Sequence, residues 1–210
     1  SDSLALSYRV AGADVAETSR AASDVDASTG NVFIGYFREA IMTKETRHRA
    51  LPTEELRRSK CDREAFAQKP RLPIMVVLDG VKQAYNVGAI FRLCDATLAE
   101  RLVVCGSQIN QRKRRLAQAA IGTQYWVPWQ QADSAEEVVL RARAEGYQII
   151  AAEQTSNSIR LEEFVPTFPV CLVFGGESDG VSAEVLRLVD AAIELPMRGM
   201  ANSINVSTAA

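Results

Sequence analysis

The sequence predicts an α/β domain built on a parallel sheet with helices on both faces, preceded by a partly helical N-terminal extension. Three observations carry this. Short β-branched runs alternate with segments of helical composition: IMVVLDG from Ile74, RLVVCG from Arg101, YQIIAAEQ from Tyr147 and PVCLVFGG from Pro169. These runs lack the polar alternation of a half-solvated strand, so both of their faces must be buried. Three strand ends lead into polar loops, where an open α/β sheet binds its ligands.

The elements follow in order. Residues 1–30 are rich in Ala, Ser and Asp with almost no large apolar side chains, and read as a flexible leader. Residues 31–70 read as a helical extension. Asn31 to Ala50 begins amphipathic and ends charged, with a helix from about Tyr36. Thr53 to Phe66 is expected to be a second helix, capped by Thr53 with Glu54 and Glu55 in its first turn. KPRLP, Lys69 to Pro73, breaks the pattern and opens the main domain, residues 71–210. There the first strand is followed by a helix, AIFRLCDATLA from Ala89. After the second strand, Ala117 to Tyr125 is mixed and WVPW, Trp126 to Trp129, is extended. Ser134 can cap a helix through AEEVVLRARAEG that stops at Gly146. VSAEVLRLVD from Val181 is a last long helix and AAIELPM from Ala191 a last strand.

Composition narrows the function classes. A net charge of −2 over 210 residues argues against a general nucleic-acid coat protein, but leaves room for an RNA enzyme with a local basic patch. Cys61, Cys94, Cys105 and Cys171 show neither C-x-x-C pairing nor metal-ligand spacing. Reduced, mostly buried thiols in a cytoplasmic protein are expected. No run is long enough to span a membrane, and the start shows no basic-plus-apolar leader.

Gly176-Glu177-Ser178-Asp179-Gly180 fits G-x-S-x-G, the nucleophile elbow of serine hydrolases. That reading needs a base after Ser178. The single histidine, His48, lies far upstream in a charged stretch, so the hydrolase is a remote alternative. Walker and dinucleotide glycine motifs are absent, as is metal-ligand spacing.

What remains is three polar stretches. NVGAIFR, Asn86 to Arg92, could be no more than a helix start with an exposed arginine. FGGESDGVS, Phe174 to Ser182, is a glycine turn. LPMRGMANSINVSTAA, Leu195 to Ala210, could be a loop and a cap. In this order they match N-x-G-x-x-x-R, [FG]-G-x-E-x-x-G and [IL]-P-M-x-G-x-x-x-S-[IL]-N-V-S at nearly every defined position. The chain from about Leu72 to Ala210 thereby resembles the SpoU/TrmH family of the SPOUT superfamily of RNA methyltransferases.

The resemblance implies an S-adenosylmethionine-dependent ribose 2′-O-methyltransferase that needs no metal and yields S-adenosylhomocysteine. It implies a C-terminal trefoil knot, a feature general topology rules would reject, and a homodimer with catalytic groups near the subunit interface. It also implies a further helix after Ala210, absent from the domain read here. Carried over residue by residue, it assigns catalysis to Arg92, Asn86, Glu177, Ser203 and Asn205. Cofactor contacts fall to Gly175, Leu195, Met197 and Ile204, and Ser178 becomes incidental. EQTSNSIRLEEF, Glu153 to Phe164, looks closer to the tRNA branch than to the ribosomal-RNA branch. Independently, the basic run QRKRR offers Lys113, Arg114 and Arg115 as RNA phosphate contacts, or simply a solvated face. Trp126 and Trp129 are read as packing residues rather than base-stacking ones. A non-catalytic RNA-binding module of the same fold is the main alternative.

Overall fold

Residues 49–58 and 60–210 are described by the computed structural model. The expected leader, the helix from about Tyr36 and His48 lie outside these residues. The chain divides into two units, Ser1–Lys60 and Cys61–Ala210. In the first, helix α1 (Thr53–Arg58) carries exposed ion pairs, Arg58 to Glu54 at 2.6 Å and Arg49 to Glu55 at 3.2 Å. Such pairs add little stability.

The single helix expected over Thr53 to Phe66 is instead two. Asp62 accepts from Ala65 N at 2.8 Å and so starts a separate helix, α2 (Arg63–Ala67). Thr53 is the first helical residue of α1 rather than its cap, because Pro52 O already accepts from Leu56 N at 3.1 Å.

The second unit is built on seven parallel strands: β1 (Leu72–Asp79), β2 (Ala99–Cys105), β3 (Trp129–Ala132), β4 (Gln148–Ala152), β5 (Ile159–Arg160), β6 (Val170–Gly175) and β7 (Ala191–Glu194). Their order is β3-β2-β1-β6-β4-β7-β5, with β1 paired to β2 and β6 on its two sides. Side chains alternate across the strand, yet both faces are covered. Val76 and Leu78 enter one core with Leu102 and Val104, while Met75 and Val77 enter the opposite core with Val103 and Cys105. That is why the strand runs read as continuously apolar. β5, only two residues long, carries no periodicity and was not expected.

Helices α3 (Ala84–Thr97) and α4 (Arg114–Ala120) cover the first face; α5 (Ala135–Ala144) and α6 (Ala183–Leu186) cover the second. Ser134 caps α5 as expected, accepting from Glu137 N at 3.3 Å. α6 is far shorter than VSAEVLRLVD suggested. Asp190 N donates to Ile149 O at 2.8 Å and its carboxylate accepts from Ile149 N at 2.7 Å, which ties the end of that segment to β4 instead. After β7 the chain returns toward the middle of the sheet, where α7 (Val206–Ala209) brings Val206 onto the first core.

Both tryptophans pack, as read from the sequence. Trp129 meets Phe91 edge-on with centroids 5.4 Å apart, and Trp126 donates Nε1–H to Asp95 at 2.7 Å under the Arg63 guanidinium. All four cysteines are free thiols; burial pushes Cys94, Cys105 and Cys171 up to about 12, while Cys61 is exposed.

Gly88 fixes the seat of α4 on α3. A Cβ there would lie 2.6 Å from Leu116 O and 2.8 Å from the Ala119 Cβ. The obstacle is helix backbone, which cannot swing aside. Gly88→Ala should therefore cost about 1–3 kcal/mol, the scale of overpacking, read as a lowered urea midpoint with an unchanged slope.

Candidate functional site

The strand ends of β1, β6, β4 and β7 meet at one side of the sheet. β6 finishes at Gly175, and Gly176 and Gly180 then form an isolated antiparallel bridge. Glu177, Ser178 and Asp179 stand exposed at the tip of this turn. The turn folds back so tightly that a Cβ on Gly175 would overlap the backbone of Gly180 and Val181. The glycine is thus required by the loop's own packing. Asp79, at the end of β1, accepts from Ser182 N at 2.8 Å and ties the far end of the loop to the sheet.

The first motif reaches the second through one side chain. Asn86 sits in the first turn of α3, not in a loop, and is 1% exposed. Its Nδ2 donates to Glu177 Oε1 at 2.5 Å. Gln83 holds the N-cap position without a side-chain cap bond, so Asn86 is free to point at the loop rather than at the helix end.

The third motif follows β7. Asn205 Oδ1 accepts from Ser207 N at 2.9 Å and from Ser207 Oγ at 2.7 Å, which caps α7. Between β7 and this cap, Leu195, Met197, Ser203 and Ile204 face a cleft of about 840 Å³. Gly175, Glu177 and Asn205 line the same cleft, and so does Ser178. Seven of the nine residues expected at the site from the three motifs therefore share one cavity, and an eighth, Asn86, bonds to its wall.

Arg92 is the exception. It lies on the exposed face of α3, and its side chain forms no hydrogen bond or ion pair with any described residue. It does not line the cleft. Lys113 is the N-cap of α4 and Arg114 and Arg115 are its first residues; all three side chains are solvent-facing. They sit on the helix packed against α3 through Gly88, apart from the cleft.

Sequence reading missed Glu194, at the end of β7, and four further residues here. Glu153 and Gln154, just past β4, line the cleft and bond to the second and third loops. Asp79 and Gln83 complete the list. Of these only Glu153 and Gln154 had a signal, in the polar stretch EQTSNSIRLEEF.

The electrostatics divide sharply. Glu153, Glu177, Asp179 and Glu194 line the cleft, and no lysine or arginine among the described residues does. Such a cavity favours a cationic ligand and repels a phosphate chain. The volume lies in the range of small-molecule sites, roughly 300–1,000 Å³.

The model of the SpoU rRNA Methylase family matches residues 73–210. The chain belongs to this family. Among similar proteins is a tRNA (guanosine(18)-2′-O)-methyltransferase of Aquifex aeolicus, 33% identical over 68% of this chain and 67% of its own length. The enzyme of the same name from Escherichia coli strain K12 is 34% identical over 65% of this chain and 58% of its own. The chain thus spans little more than half of some relatives. The crystal structure of the A. aeolicus TrmH/SpoU tRNA modifying enzyme matches with a TM-score of 0.61 at 31% identity, covering 74% of this chain and 77% of that one. An AdoMet-bound rRNA methyltransferase from Sinorhizobium meliloti matches with a TM-score of 0.60 at 27% identity, covering 70% and 55%. The SpoU family fold, a parallel sheet with the motif loops at its strand ends, is therefore the architecture of residues 73–210. No helix among the described residues is long and apolar enough to cross a membrane.

The Asn86–Glu177 bond offers a direct test. Asn86→Asp would place a buried carboxylate against Glu177 and should cost about 3 kcal/mol at neutral pH. Repulsion raises the folded-state pKa of one member of the pair above its unfolded value. The deficit should therefore shrink as pH falls toward about 5, measured by urea denaturation of variant and parent at both pH values.

Proposed function

We propose that the protein is an S-adenosylmethionine-dependent RNA methyltransferase that methylates a ribose 2′-hydroxyl, with tRNA as its substrate class. The observation that carries this is the meeting of the second and third motifs in one acidic cleft, to which the Asn86–Glu177 bond ties the first. The tRNA preference is supported by the tRNA methyltransferases among its relatives.

The cleft's residues suit the cofactor. Leu195, Met197 and Ile204 offer apolar walls for adenine and the methionine chain, and Gly175 exposes backbone at the strand end. Four carboxylates favour a ligand that carries a sulfonium and an ammonium group. S-adenosylmethionine supplies, when bound, a methyl group already activated by positively charged sulfur, so no metal is required. Nothing is left for the protein but to align the reacting atoms and manage charge, which is a large effect by itself.

The ribose hydroxyl is a poor nucleophile until its proton is partly withdrawn. Arg92 acts by holding the adjacent phosphate and stabilising the developing alkoxide; the hydroxyl oxygen would take the methyl group as its bond to sulfur breaks, S-adenosylhomocysteine would leave, and the hydroxyl proton would pass to solvent. Asn86 and Glu177 order the loops, and Ser203 and Asn205 position ribose and cofactor. Arg92 is exposed and does not line the cleft of its own chain. This favours a two-fold homodimer in which α3 completes a site at the interface. We further infer that the return of the chain from β7 to α7 threads a loop as a trefoil knot. The basic start of α4 receives RNA phosphates beyond the reacting nucleotide.

Incubation with tRNA and labelled S-adenosylmethionine, followed by nucleoside mapping, should reveal a 2′-O-methylated nucleoside. Cofactor and RNA binding without methyl transfer would leave the RNA-binding module instead. Arg92→Ala should preserve cofactor affinity and lower single-turnover methyl transfer about a hundredfold or more. Arg92→Lys should rescue it poorly, since an ammonium lacks the planar two-point contact with phosphate. A rate for Arg92→Ala within threefold of the parent would remove Arg92 from the mechanism. Neutralising Lys113, Arg114 and Arg115 together should weaken RNA binding and flatten its salt dependence without changing cofactor affinity.

A further inference from the structure

Two neighbouring residues outside the three motifs fasten both walls of the cleft to one strand end. Glu153 N donates to Ile193 O at 3.0 Å, which continues the β4–β7 ladder to the mouth of the cleft. Glu153 Oε2 accepts from Val181 N at 2.9 Å, and Oε1 accepts from Gln154 N at 3.0 Å. Gly180, with φ +66°, presses so closely on this carboxylate that a Cβ there would collide with it. The next side chain turns the other way: Gln154 Nε2 donates to Asn202 O at 2.7 Å. Glu153 thus holds the loop that carries Glu177, and Gln154 holds the loop that carries Ser203, Ile204 and Asn205.

The second connection matters most. Residues 195–205 contain no helix or strand, and Asn202 through Asn205 are exposed. A segment of this kind loses conformational freedom when it closes on a ligand, and any bond that restricts it beforehand reduces that loss. We infer that Glu153 and Gln154 are positioning residues for the cofactor, which set the spacing of the two loops before it enters. Their effect is on cofactor affinity rather than on the methyl-transfer step. The inference rests on the reading of the cleft as the S-adenosylmethionine site.

Calorimetric titration of the full chain with S-adenosylhomocysteine tests it. If the parent protein shows no binding at millimolar ligand, the cofactor reading fails and this inference with it. If the parent binds, Gln154→Ala should weaken binding about five- to tenfold, the scale of one lost hydrogen bond. Gln154→Glu has the same shape but cannot donate, and should weaken binding at least as much. Gln154→Lys keeps a donor and should stay within threefold of the parent. In turnover assays the Ala and Glu variants should raise KM for the cofactor, with kcat at saturation within threefold. Gln154 is exposed, so melting temperatures should shift by only a few degrees, and folding does not confuse the series. Glu153→Ala should weaken binding tenfold or more; if that variant does not fold, the Gln154 series decides. Parent-like affinity in Gln154→Glu, or a fall in kcat with KM unchanged, would overturn the assignment.

Discussion

A buried amide bonded to a carboxylate holds the site together. Asn86 is covered on α3, and its partner Glu177 stands on the turn after β6, ninety-one residues later in the chain. The bond is possible only because β1 and β6 are neighbours in the sheet, so that the helix following one strand meets the loop following the other. An uncharged donor is needed at that position. A hydrophobic residue would leave the carboxylate without its partner, and an acid would repel it. Around this bond the loop folds back on its own backbone at Gly175 and closes through the Gly176–Gly180 bridge. Asp79 anchors its far end to β1.

Charge is divided between two regions. The cleft is walled by carboxylates, whereas the cations of Arg92, on α3, and of residues 112–115, leading into α4, lie on exposed surface. A small cation and a polyanion have opposite electrostatic needs, and one cavity could not serve both. An overall charge of −2 thus coexists with a local basic patch.

Much of the fold was legible because burial on both faces leaves a mark in the sequence. IMVVLDG and PVCLVFGG could only be covered strands, and Ser134 and Gly146 bracketed α5 as local chemistry requires. Errors fell where a particular hydrogen bond, local at Asp62 and long-range at Asp190, overrides helical composition. Thr53 to Phe66 has helical composition throughout, but Asp62 starts a second helix within it. VSAEVLRLVD also reads as one helix, but Asp190 is drawn away to Ile149 on β4. β5 owes its two residues entirely to pairing with β7 and has no signature of its own.

The sequence by itself determined the sheet, the family motifs and the residue types at the site, since glycines, amides and carboxylates at strand ends are local features of the chain. Only the tertiary structure decided what those residues do for one another. Gly88 proved to seat α4, and Gly175 proved to accommodate its own loop. Asn86 proved to be a helical residue aimed at Glu177. Glu153 and Gln154, which belong to no motif, proved to connect the two loops. Apart from the fold-back at Gly175, which is local, each of these roles depends on a contact between segments distant in sequence, and strand order sets such contacts. A motif records which groups are present, while the packing of parallel strands determines which of them come within hydrogen-bonding distance.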